Sequence, residues 1–333
     1  MFNNKTILIT GGTGSFGKKF TKTILEQYPE VKKIIIYSRD EFKQFIMSNM
    51  PQFKAYEDKL RFFIGDVRDK ERLRMAMENV DFVVHAAALK QVPACEYNPF
   101  EAIKTNVMGG QNVIDIALER NVEKVVALST DKACSPVNLY GATKLCSDKL
   151  FIAANGYSGS KQTKFAVVRY GNVAGSRGSV IPFFQRLAKE GAESLPITDY
   201  KMTRFWLKLE SAVWMVLNAF EKMRGGELYV KKIPSMRMPD LAKAVAPQLK
   251  TQECGIRPGE KIHEQMISVE DARNTVEFDD YYVIQPSADW WEARAKDFGG
   301  KPVPNDFSYD SGNNTQWLSV DDMKVLIEEL DGE

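Results

Sequence analysis

Short apolar runs alternate with amphipathic segments through the first half of this chain. The apolar runs read TILIT, KIIIYS, RFFIGDV, DFVVHAAA, KVVALST and FAVVRYGNV, and the segments between them have helical spacing. Strands that are joined through helices run parallel, and a parallel sheet has helices packed on both of its faces. The pattern therefore predicts an α/β fold with a doubly wound parallel sheet.

The alternation ends after Asn172, where glycine, proline and short helical stretches take over. A long helical pattern (209–223) and one strand, GELYV, return to the sheet. We expect residues 1–175 and 206–231 to form a nucleotide-binding domain, and 176–205 and 232–333 to form a smaller, interleaved substrate lobe. The chain has 333 residues, 44% of them hydrophobic, which is enough to bury cores of this size.

A glycine-rich turn follows the first predicted strand. KTILIT runs into GGTGSFG, and a helical pattern begins directly after it. Strand, glycine turn and helix form the dinucleotide-binding arrangement of a Rossmann sheet, because glycines let the backbone approach the pyrophosphate and the helix N-terminus attracts its charge. The expected cofactor contacts in this turn are Gly11, Thr13, Gly14, Ser15, Phe16 and Gly17.

The next strand ends predict the rest of the cofactor site. The second strand ends at Ser38-Arg39-Asp40. An acidic residue there would bind the ribose 2′-hydroxyl of NAD, whereas an arginine can bind the 2′-phosphate of NADP. Ser38 and Arg39 favour NADP, and Asp40 leaves NAD possible. The remaining expected contacts, after the third and fourth strands, are Asp66, Val67, Ala86, Ala87 and Ala88.

A tyrosine and a lysine lie four residues apart after the fifth strand, in YGATK (140–144). On a helix this spacing places Tyr140 and Lys144 on one face. Lys144 and a positively charged nicotinamide can lower the pKa of the tyrosine from its usual value of about 10. Tyr140 can then take a proton from a sugar hydroxyl as hydride leaves the same carbon. The pair predicts a nicotinamide-dependent oxidation of a sugar.

A second polar group, Thr130-Asp131-Lys132, ends the fifth strand, where open α/β sheets bind ligands. Thr130 can hydrogen-bond the hydroxyl that is oxidised, and Asp131 can protonate a leaving hydroxyl. Lys132 can remove a proton next to a carbonyl if its pKa falls below about 10.4, and we expect Lys144 and the nicotinamide to lower it. The alternative is an Asp-Lys pair that caps a helix on a loop.

Composition disfavours several other classes of protein. The net charge is +1 with acids and bases interspersed, which does not indicate nucleic-acid binding. No apolar run approaches the ~20 residues of a membrane span, and the first strand leaves no room for a signal peptide, so we expect a cytoplasmic protein. The 4 cysteines lack Cys-x-x-Cys spacing and the 2 histidines are isolated, so no metal site or hydrolytic triad is expected.

The motifs together resemble those of one family. The chain is similar to the inverting UDP-N-acetylglucosamine 4,6-dehydratases, in the extended branch of the short-chain dehydrogenase/reductase superfamily, in GGTGSFG, YSRDE, GDVRD, HAAALKxVP, ExNPxExIKTN, STDKA, YGATKL, VRYGNVxGSRGSVIPFF, MTRFW and RPGEKxHE. A lysine at position 132 is typical of this group, whereas dehydratases of other hexoses have glutamate there. The family usually has histidine where this chain has Gln91, which puts a proton role at that position in doubt.

The resemblance implies a reaction in three steps. Tyr140 and NADP+ oxidise C4 of the sugar, with Thr130 in support. The ketone acidifies the C5 hydrogen, Lys132 removes it, and Asp131 helps to expel the C6 hydroxyl as water. Hydride then returns to C6, and C5 is protonated from the opposite face. The product would be UDP-2-acetamido-2,6-dideoxy-β-L-arabino-hexos-4-ulose, at the start of pseudaminic acid biosynthesis for flagellin glycosylation, and NADP would stay tightly bound throughout.

Substrate contacts are expected from both parts of the chain. Arginine forks fit phosphate oxygens, so Arg204, beside Thr203, and Arg257, in the RPGEK turn, are candidates for a diphosphate clamp; the alternative for each arginine is a surface ion pair. Asn106 can orient Lys144 through a water or pack its own helix. The resemblance adds further contacts to UDP-N-acetylglucosamine, namely Lys90, Asn172, Ser179, Val180, Ile181, Pro182 and Glu260, of which 179–182 would touch uracil.

Two other readings stay open. One is a different enzyme on the same scaffold, either a 4-epimerase or the retaining dehydratase, whose members usually replace the tyrosine and carry an N-terminal membrane region. The other is a nucleotide-sensing or scaffold protein without catalysis, which would usually lack the tyrosine or the lysine. Relatives commonly form hexamers or dimers, so a homo-oligomer is expected.

Overall fold

The computed structural model describes residues 1–159, 162–175, 179–288, 291 and 298–331. In chain order its strands are β1 (Thr6–Thr10), β2 (Lys33–Ser38), β3 (Leu60–Ile64), β4 (Phe82–His85), β5 (Lys124–Leu128), β6 (Lys164–Arg169), β7 (Asn172–Val173), β8 (Ser194–Ile197), β9 (Thr203–Leu207), β10 (Leu228–Lys231), β11 (Ser235–Arg237), β12 (Lys250–Glu253), β13 (Gln265–Ile267), β14 (Thr275–Glu277), β15 (Tyr281–Ile284), β16 (Lys301–Pro302) and β17 (Tyr309–Asp310).

The described helices follow the same order. They are α1 (Ser15–Gln27), α2 (Glu41–Ser48), α3 (Pro51–Lys54), α4 (Lys70–Ala76), α5 (Val92–Tyr97), α6 (Pro99–Ala102), α7 (Gly109–Glu119), α8 (Leu139–Ala153), α9 (Val180–Lys189), α10 (Leu209–Lys222), α11 (Met238–Val245), α12 (Val269–Ala272) and α13 (Val320–Asp331). A π-helix, Ile103–Met108, joins α6 to α7, and a 3-10 turn, Asp131–Ala133, follows β5. No described helix has the length and apolar character that a membrane span requires.

The centre of the main sheet is parallel. Its strands lie in the order β3-β2-β1-β4-β5-β6-β10, and each neighbouring pair is parallel. The order reverses between β1 and β4, and this switch point is where a doubly wound sheet opens a crevice for a ligand at its carboxyl edge. All five residues of β1 are buried, as expected for a strand covered by helices on both faces. The predicted α/β fold is confirmed.

Three short strands extend this sheet beyond β10. β15 pairs antiparallel with β10, β14 with β15, and β16 with β14. These strands come from the segment 232–333, which the sequence assigned to the lobe. They cover the edge of β10 that would otherwise present unpaired backbone groups. Because antiparallel neighbours need no connecting helix, they lack the alternating pattern that revealed the parallel strands.

A second apolar core lies apart from the main sheet. It includes Ile181, Trp206, Leu241 and Met323, each almost fully buried, with residues of α9, α11 and α13 around them. Small sheets flank it, with β7 beside β9, β9 beside β11, and β8 beside β12. Most residues of this core come from 176–205 and 232–333, but Trp206 comes from the segment assigned to the other domain. Since β7 pairs with β9, however, the two units interlock, and the exact division of the chain stays a prediction.

Candidate functional site

A cavity of about 1400 Å³ lies at the carboxyl ends of the parallel strands and is lined by both the sheet and the lobe. All the residues expected to bind the cofactor line it, namely Gly11, Thr13, Gly14, Ser15, Phe16, Gly17, Ser38, Arg39, Asp66, Val67, Ala86, Ala87, Ala88, Tyr140 and Lys144. The cavity therefore brings together the residues predicted from five separate strand ends.

Two glycines make the turn after β1 possible. Gly11 has φ +67°, and a Cβ there would lie 3.0 Å from the backbone of Ala86 and Ala87. A Cβ at Gly17 would lie 2.5 Å from Gly12 Cα, inside the turn itself. The helix α1 can therefore begin close against the turn only because both positions lack a side chain. Its first backbone N–H groups face the cavity without a side-chain cap, which fits a pyrophosphate.

Arg39 and Asp40 follow β2 directly, and they differ in how firmly other side chains hold them. Arg39 is half exposed, with Nη1 3.6 Å from Asp66 Oδ2, and Asp66 is already bound more closely by Arg68, at 2.7 Å. Asp40 caps α2 by accepting from the Lys43 N–H at 2.9 Å, and its carboxylate also pairs with Lys43 Nζ at 2.8 Å. Arg39 is thus loosely held, whereas Asp40 has partners of its own.

A buried histidine supports the alanine segment after β4. Thr10 Oγ1 accepts hydrogen bonds from the N–H groups of Ala86 and Ala87, both at 3.2 Å, so its own hydrogen is left to donate to His85 Nδ1 at 2.9 Å. Nδ1 of His85 must then be the acceptor of a neutral ring. Burial, aided by the charge of Lys144, lowers the pKa of His85 to about 3. This histidine supports the backbone through Thr10 and stays uncharged near neutral pH.

Tyr140 and Lys144 lie on the first two turns of α8, as the spacing predicted. Asn138 begins this helix by accepting from the Gly141 N–H at 2.8 Å. Lys144 is 3% exposed, and burial lowers its pKa against the pull of Asp148. Within the described residues, its ammonium makes no hydrogen bond or ion pair, so it is available to ribose hydroxyls.

The pKa of Tyr140 differs from the expectation. Burial raises it to about 12, although the charge of Lys132 and a hydrogen bond with Thr130 act to lower it. The carboxylates of Asp131 and Asp148 add to the rise. The sequence-based expectation is that Lys144 and a bound nicotinamide together lower this pKa, and in the protein alone the pKa lies above its usual value. The charge of a bound nicotinamide is the remaining contribution that could lower it.

Asn106 has a direct structural role. Its Oδ1 accepts from the Leu89 N–H at 2.8 Å, and its Nδ2 donates to Leu89 O at 2.9 Å and to Thr143 Oγ1 at 3.0 Å. It lies in the π-helix, an irregular turn that often occurs at functional sites. Asn106 thus ties the segment before Lys90 to the helix of Tyr140 and Lys144.

The group after β5 is compact and partly enclosed. Asp131 is fully buried and does not line the cavity surface, whereas Thr130 and Lys132 do. Asp131 Oδ1 accepts from Thr130 Oγ1 at 2.9 Å and from Lys132 Nζ at 3.1 Å. Thr130 also caps the 3-10 turn, with its Oγ1 3.3 Å from the Lys132 N–H. The residue that caps this turn is therefore Thr130, whereas Asp131 and Lys132 lie within the turn and form an acid/base pair in contact.

Glu264 completes this group and was not singled out from the sequence. It is 3% exposed, and its Oε1 lies 3.3 Å from Lys132 Nζ. Burial acts to lower the pKa of Lys132, but Asp131 and Glu264 outweigh it and raise the pKa above its usual value. The expectation that Lys132 has a depressed pKa is therefore wrong for the protein alone. Burial and the nearby Glu264 raise the pKa of Asp131, which favours its protonated form.

The expected substrate contacts divide into two sets. Those that line the cavity as expected are Lys90, Asn172, Ser179, Val180, Pro182, Arg204, Arg257 and Glu260. Two expected residues do not line it. Ile181 is packed in the lobe core, because α9 turns that side inward, and Thr203 is buried with its Oγ1 2.8 Å from His263 Nδ1 and 2.7 Å from Ser311 Oγ. These two positions correct the sequence-based expectation of direct contact.

The arginines differ in availability. Arg204 is buried, and its Nη1 donates to the carbonyls of Thr203 at 2.7 Å and Ile262 at 3.1 Å. Arg257 is largely exposed and paired with Glu260 at the cavity rim. The surface ion pair and the cavity position therefore both hold for Arg257. Arg186 also lines the cavity and was missed, because a helical arginine without a motif gives no signal.

The comparisons with known proteins agree with this geometry. The model of the polysaccharide biosynthesis protein family matches residues 7–286. The UDP-N-acetylglucosamine 4,6-dehydratase (inverting) of Campylobacter jejuni subsp. jejuni serotype O:2 is 58% identical to the chain, over 100% of each. The chain belongs to the family of inverting UDP-N-acetylglucosamine 4,6-dehydratases. The resemblance seen in the motifs is confirmed.

Two further proteins are similar to nearly the whole chain. The UDP-glucose 4-epimerase of Rickettsia canadensis is 43% identical, over 98% of this chain and 96% of the relative. The X-ray structure of Pen from Bacillus thuringiensis superposes with a TM-score of 0.88 at 36% identity, covering 98% of this chain and 99% of that one. Relatives named for a dehydratase and for an epimerase both match nearly the whole chain, so overall similarity does not separate the two reactions.

Proposed function

We propose that this protein is a UDP-N-acetylglucosamine 4,6-dehydratase that inverts C5. The proposal depends on one observation above all, that a Tyr-Lys pair and an Asp-Lys pair line or adjoin the same cavity. The first pair suffices to oxidise a sugar hydroxyl. The second adds a base for C5 and an acid for the C6 hydroxyl, which dehydration needs and epimerisation does not. The name of the Campylobacter jejuni relative supports the same reaction.

NADP is the proposed cofactor, tightly bound and regenerated in each cycle. A Cβ at Gly11 or Gly17 would lie 3.0 Å or less from backbone atoms, so this turn requires glycine, and the pyrophosphate of the cofactor would bind against it. Arg39 is loosely held and can turn to a 2′-phosphate, whereas Asp40 already caps α2 and is less available to a 2′-hydroxyl. Lys144 would bind the ribose hydroxyls. When bound, the nicotinamide would accept a hydride from C4 and later return it to C6.

The residues of the chain move the protons. Tyr140 would take the proton of the C4 hydroxyl as a phenolate, for which the charge of the bound nicotinamide must lower its pKa, and Thr130 would hold that hydroxyl in place. Lys132 is a cation at rest, so it must first lose a proton, and its 3.1 Å hydrogen bond to Asp131 Oδ1 is the direct route. That one transfer gives an amine that can remove the C5 proton and a carboxylic acid that can protonate the leaving C6 hydroxyl. After water leaves, the pair is again an ammonium and a carboxylate.

The substrate would lie between the strand ends and the lobe. Lys90, Asn172 and the segment Ser179-Val180 with Pro182 line its expected path. Arg257 would release Glu260 and bind the diphosphate. Arg204 is held by backbone carbonyls in the cavity wall and would support the site there. The second candidate is a UDP-sugar 4-epimerase, which the 43% identical Rickettsia relative favours. An epimerase needs no C5 base, so Lys132→Ala should leave an epimerase active and abolish a dehydratase.

A single experiment tests the proposal. Purified protein is mixed with UDP-N-acetylglucosamine in D2O, without added cofactor, and followed by proton NMR. A new 6-methyl signal, deuterium at C5 and L-arabino coupling are expected. A 6-methyl with D-xylo configuration would indicate the retaining dehydratase, and no methyl even with added NADP+ would favour the epimerase or a protein without catalysis.

The wider setting follows from the same proposal. The product would enter pseudaminic acid biosynthesis for flagellin glycosylation, and the enzyme would act in the cytoplasm as a homo-oligomer, either a hexamer or a dimer. Support for these points comes from the family alone. Light scattering of the purified protein measures the oligomer, and loss of flagellin glycosylation in a deletion strain would test the pathway.

A further inference from the structure

Glu264 connects the lobe to the catalytic strand end. It directly precedes β13, and its backbone is held on both sides by Ser311, whose Oγ accepts from the Glu264 N–H at 2.9 Å and whose N–H donates to Glu264 O at 2.8 Å. Ser311 is fully buried and also contacts Thr203 Oγ1, which in turn contacts His263. The position of the Glu264 backbone is therefore fixed by a buried polar cluster of the lobe.

The carboxylate of Glu264 faces two cations. Its Oε1 lies 3.3 Å from Lys132 Nζ and 3.8 Å from Arg204 Nε. Lys132 Nζ is thus placed between Asp131 on the strand end and Glu264 on the lobe. Arg204 is held in place because its guanidinium donates to two backbone carbonyls, so Lys132 is the nearer cation to the Glu264 carboxylate.

Two buried oxygens in this group lack partners. Among the described residues, Asp131 Oδ2 and Glu264 Oε2 make no hydrogen bond. Leaving a buried carboxylate oxygen unpaired is costly, and a structural ion pair would gain by satisfying both. Unpaired carboxylate oxygens in a buried group are therefore expected at a site that exchanges protons, and not in an ion pair that only neutralises charge.

We propose that Glu264 is a positioning residue, which holds Lys132 in line with Asp131 and keeps their shared proton on the pair during dehydration. The pair works only while it holds that proton, either as ammonium and carboxylate or as amine and carboxylic acid. Glu264 stabilises the ammonium directly and disfavours a second negative charge on Asp131. The Glu264 side chain then links the position of the lobe to the protonation state of Lys132 and Asp131.

The sign of the electrostatic effect is defined by the groups around the pair. Glu264 raises the pKa of both Lys132 and Asp131, whereas Arg204 lowers that of Lys132. An opposite charge at this range moves a pKa by about 1 to 3 units. Removing the negative charge at position 264 should therefore let the pair lose its proton at a lower pH, so an alkaline loss of activity moves down by about 1 to 3 pH units.

The inference rests on the proposed function, and the experiment separates the two. Wild type, Glu264→Gln, Glu264→Asp and the exposed control Glu270→Gln are compared as isolated holoenzymes. C4 oxidation is measured as nicotinamide reduction in a single turnover, and dehydration as formation of the 6-methyl group, both from pH 6 into the alkaline range above the usual lysine pKa of about 10.4, with brief exposure to each pH. If wild type forms no 6-methyl group, the proposed function fails, whatever the variants do.

The expected results differ for each step. Glu264→Gln should oxidise C4 at close to the wild-type rate, form the methyl group at least tenfold more slowly, and show the alkaline limb at lower pH. Glu264→Asp keeps the negative charge on a shorter side chain. The pH at which its dehydration rate falls should stay near that of wild type, while its maximal dehydration rate should be lower. Glu270→Gln should match wild type throughout.

Three outcomes would overturn the inference. Equal loss of oxidation and dehydration in Glu264→Gln, with an unmoved pH profile, would indicate a structural role. A rise in KM alone would indicate a substrate contact. Wild-type behaviour of Glu264→Gln would show that the carboxylate is dispensable. Should Glu264→Gln fold poorly by thermal unfolding, the Glu264→Asp profile decides, because a shifted limb there contradicts a role that depends on charge.

Discussion

Arg39→Ala tests how this chain distinguishes its two possible cofactors. In the protein alone Arg39 Nη1 lies 3.6 Å from Asp66 Oδ2, and Arg68 binds the same carboxylate oxygen at 2.7 Å. Moving Arg39 to a 2′-phosphate therefore leaves Asp66 paired and costs little. The new contact is between a guanidinium and a phosphate, which is among the stronger hydrogen-bonded contacts in proteins.

The expected magnitude follows from that contact. Hydrogen bonds to charged groups contribute about 1.5–3 kcal/mol. Since each 1.4 kcal/mol is tenfold, Arg39→Ala should weaken NADP by about 10- to 150-fold. NAD has no 2′-phosphate, so its affinity should change little. A nearby cation, Lys43, is tied to Asp40 at 2.8 Å and should compensate only in part.

The assay compares Kd for both cofactors by fluorescence titration of stripped enzyme. Arg273→Ala is the matched control, since Arg273 is exposed and does not line the cavity. Equal losses for NADP and NAD would refute the reasoning, as would an unchanged preference. In either case Asp40 would become the residue that reads the ribose, and NAD the favoured cofactor.

Three further predictions follow from the same structure. Tyr140→Phe should slow C4 oxidation by about 10²- to 10⁴-fold in single-turnover assays with cofactor still bound, and retained oxidation would remove Tyr140 from its role. Gly17→Ala should cost about 1–3 kcal/mol and lower Tm, because its Cβ would enter the turn at Gly12; an unchanged Tm would contradict the close approach of α1. His85 stays neutral down to about pH 3, whereas an unfolded histidine protonates below about 6.5, so the unfolded state binds more protons and stability falls with acid. His85→Gln should therefore lose about 2 kcal/mol less than wild type between pH 7 and pH 5 in urea unfolding, and parallel losses would refute the assignment.

The sequence predicts the parallel half of the fold because its signals are local. Each strand there is a buried apolar run, and a helix of its own follows in the chain. β14, β15 and β16 gave no such signal, since they are two to four residues long and pair antiparallel. Their position depends on an uncovered edge of β10, a property of the folded sheet and not of the segment itself.

In the candidate site too, the residues that local motifs locate were predicted, and those that depend on the folded arrangement were not. The cofactor residues follow single strand ends, so a local motif locates each of them, and all of them line the cavity. The substrate contacts of the lobe are harder to predict, because a motif identifies the segment that approaches the site but not which of its side chains face the cavity. Ile181 and Thr203 show this limit: each lies in a correctly chosen segment, but its side chain is packed away from the cavity.

The charge state of Lys132 shows why chemistry is harder to predict than position. From the sequence we expect two cations, Lys144 and the nicotinamide, to lower the pKa of Lys132. In the structure Asp131 and, from a distant segment, Glu264 together outweigh burial, and the pKa of Lys132 is raised instead. A base with a raised pKa can work only by passing its proton to a partner, so Asp131 is required by Lys132 as much as by the leaving hydroxyl. Asp131→Asn should therefore abolish removal of the C5 hydrogen as well as loss of water. C5 exchange into D2O that survives in Asp131→Asn would show that Lys132 reaches its neutral form by another route.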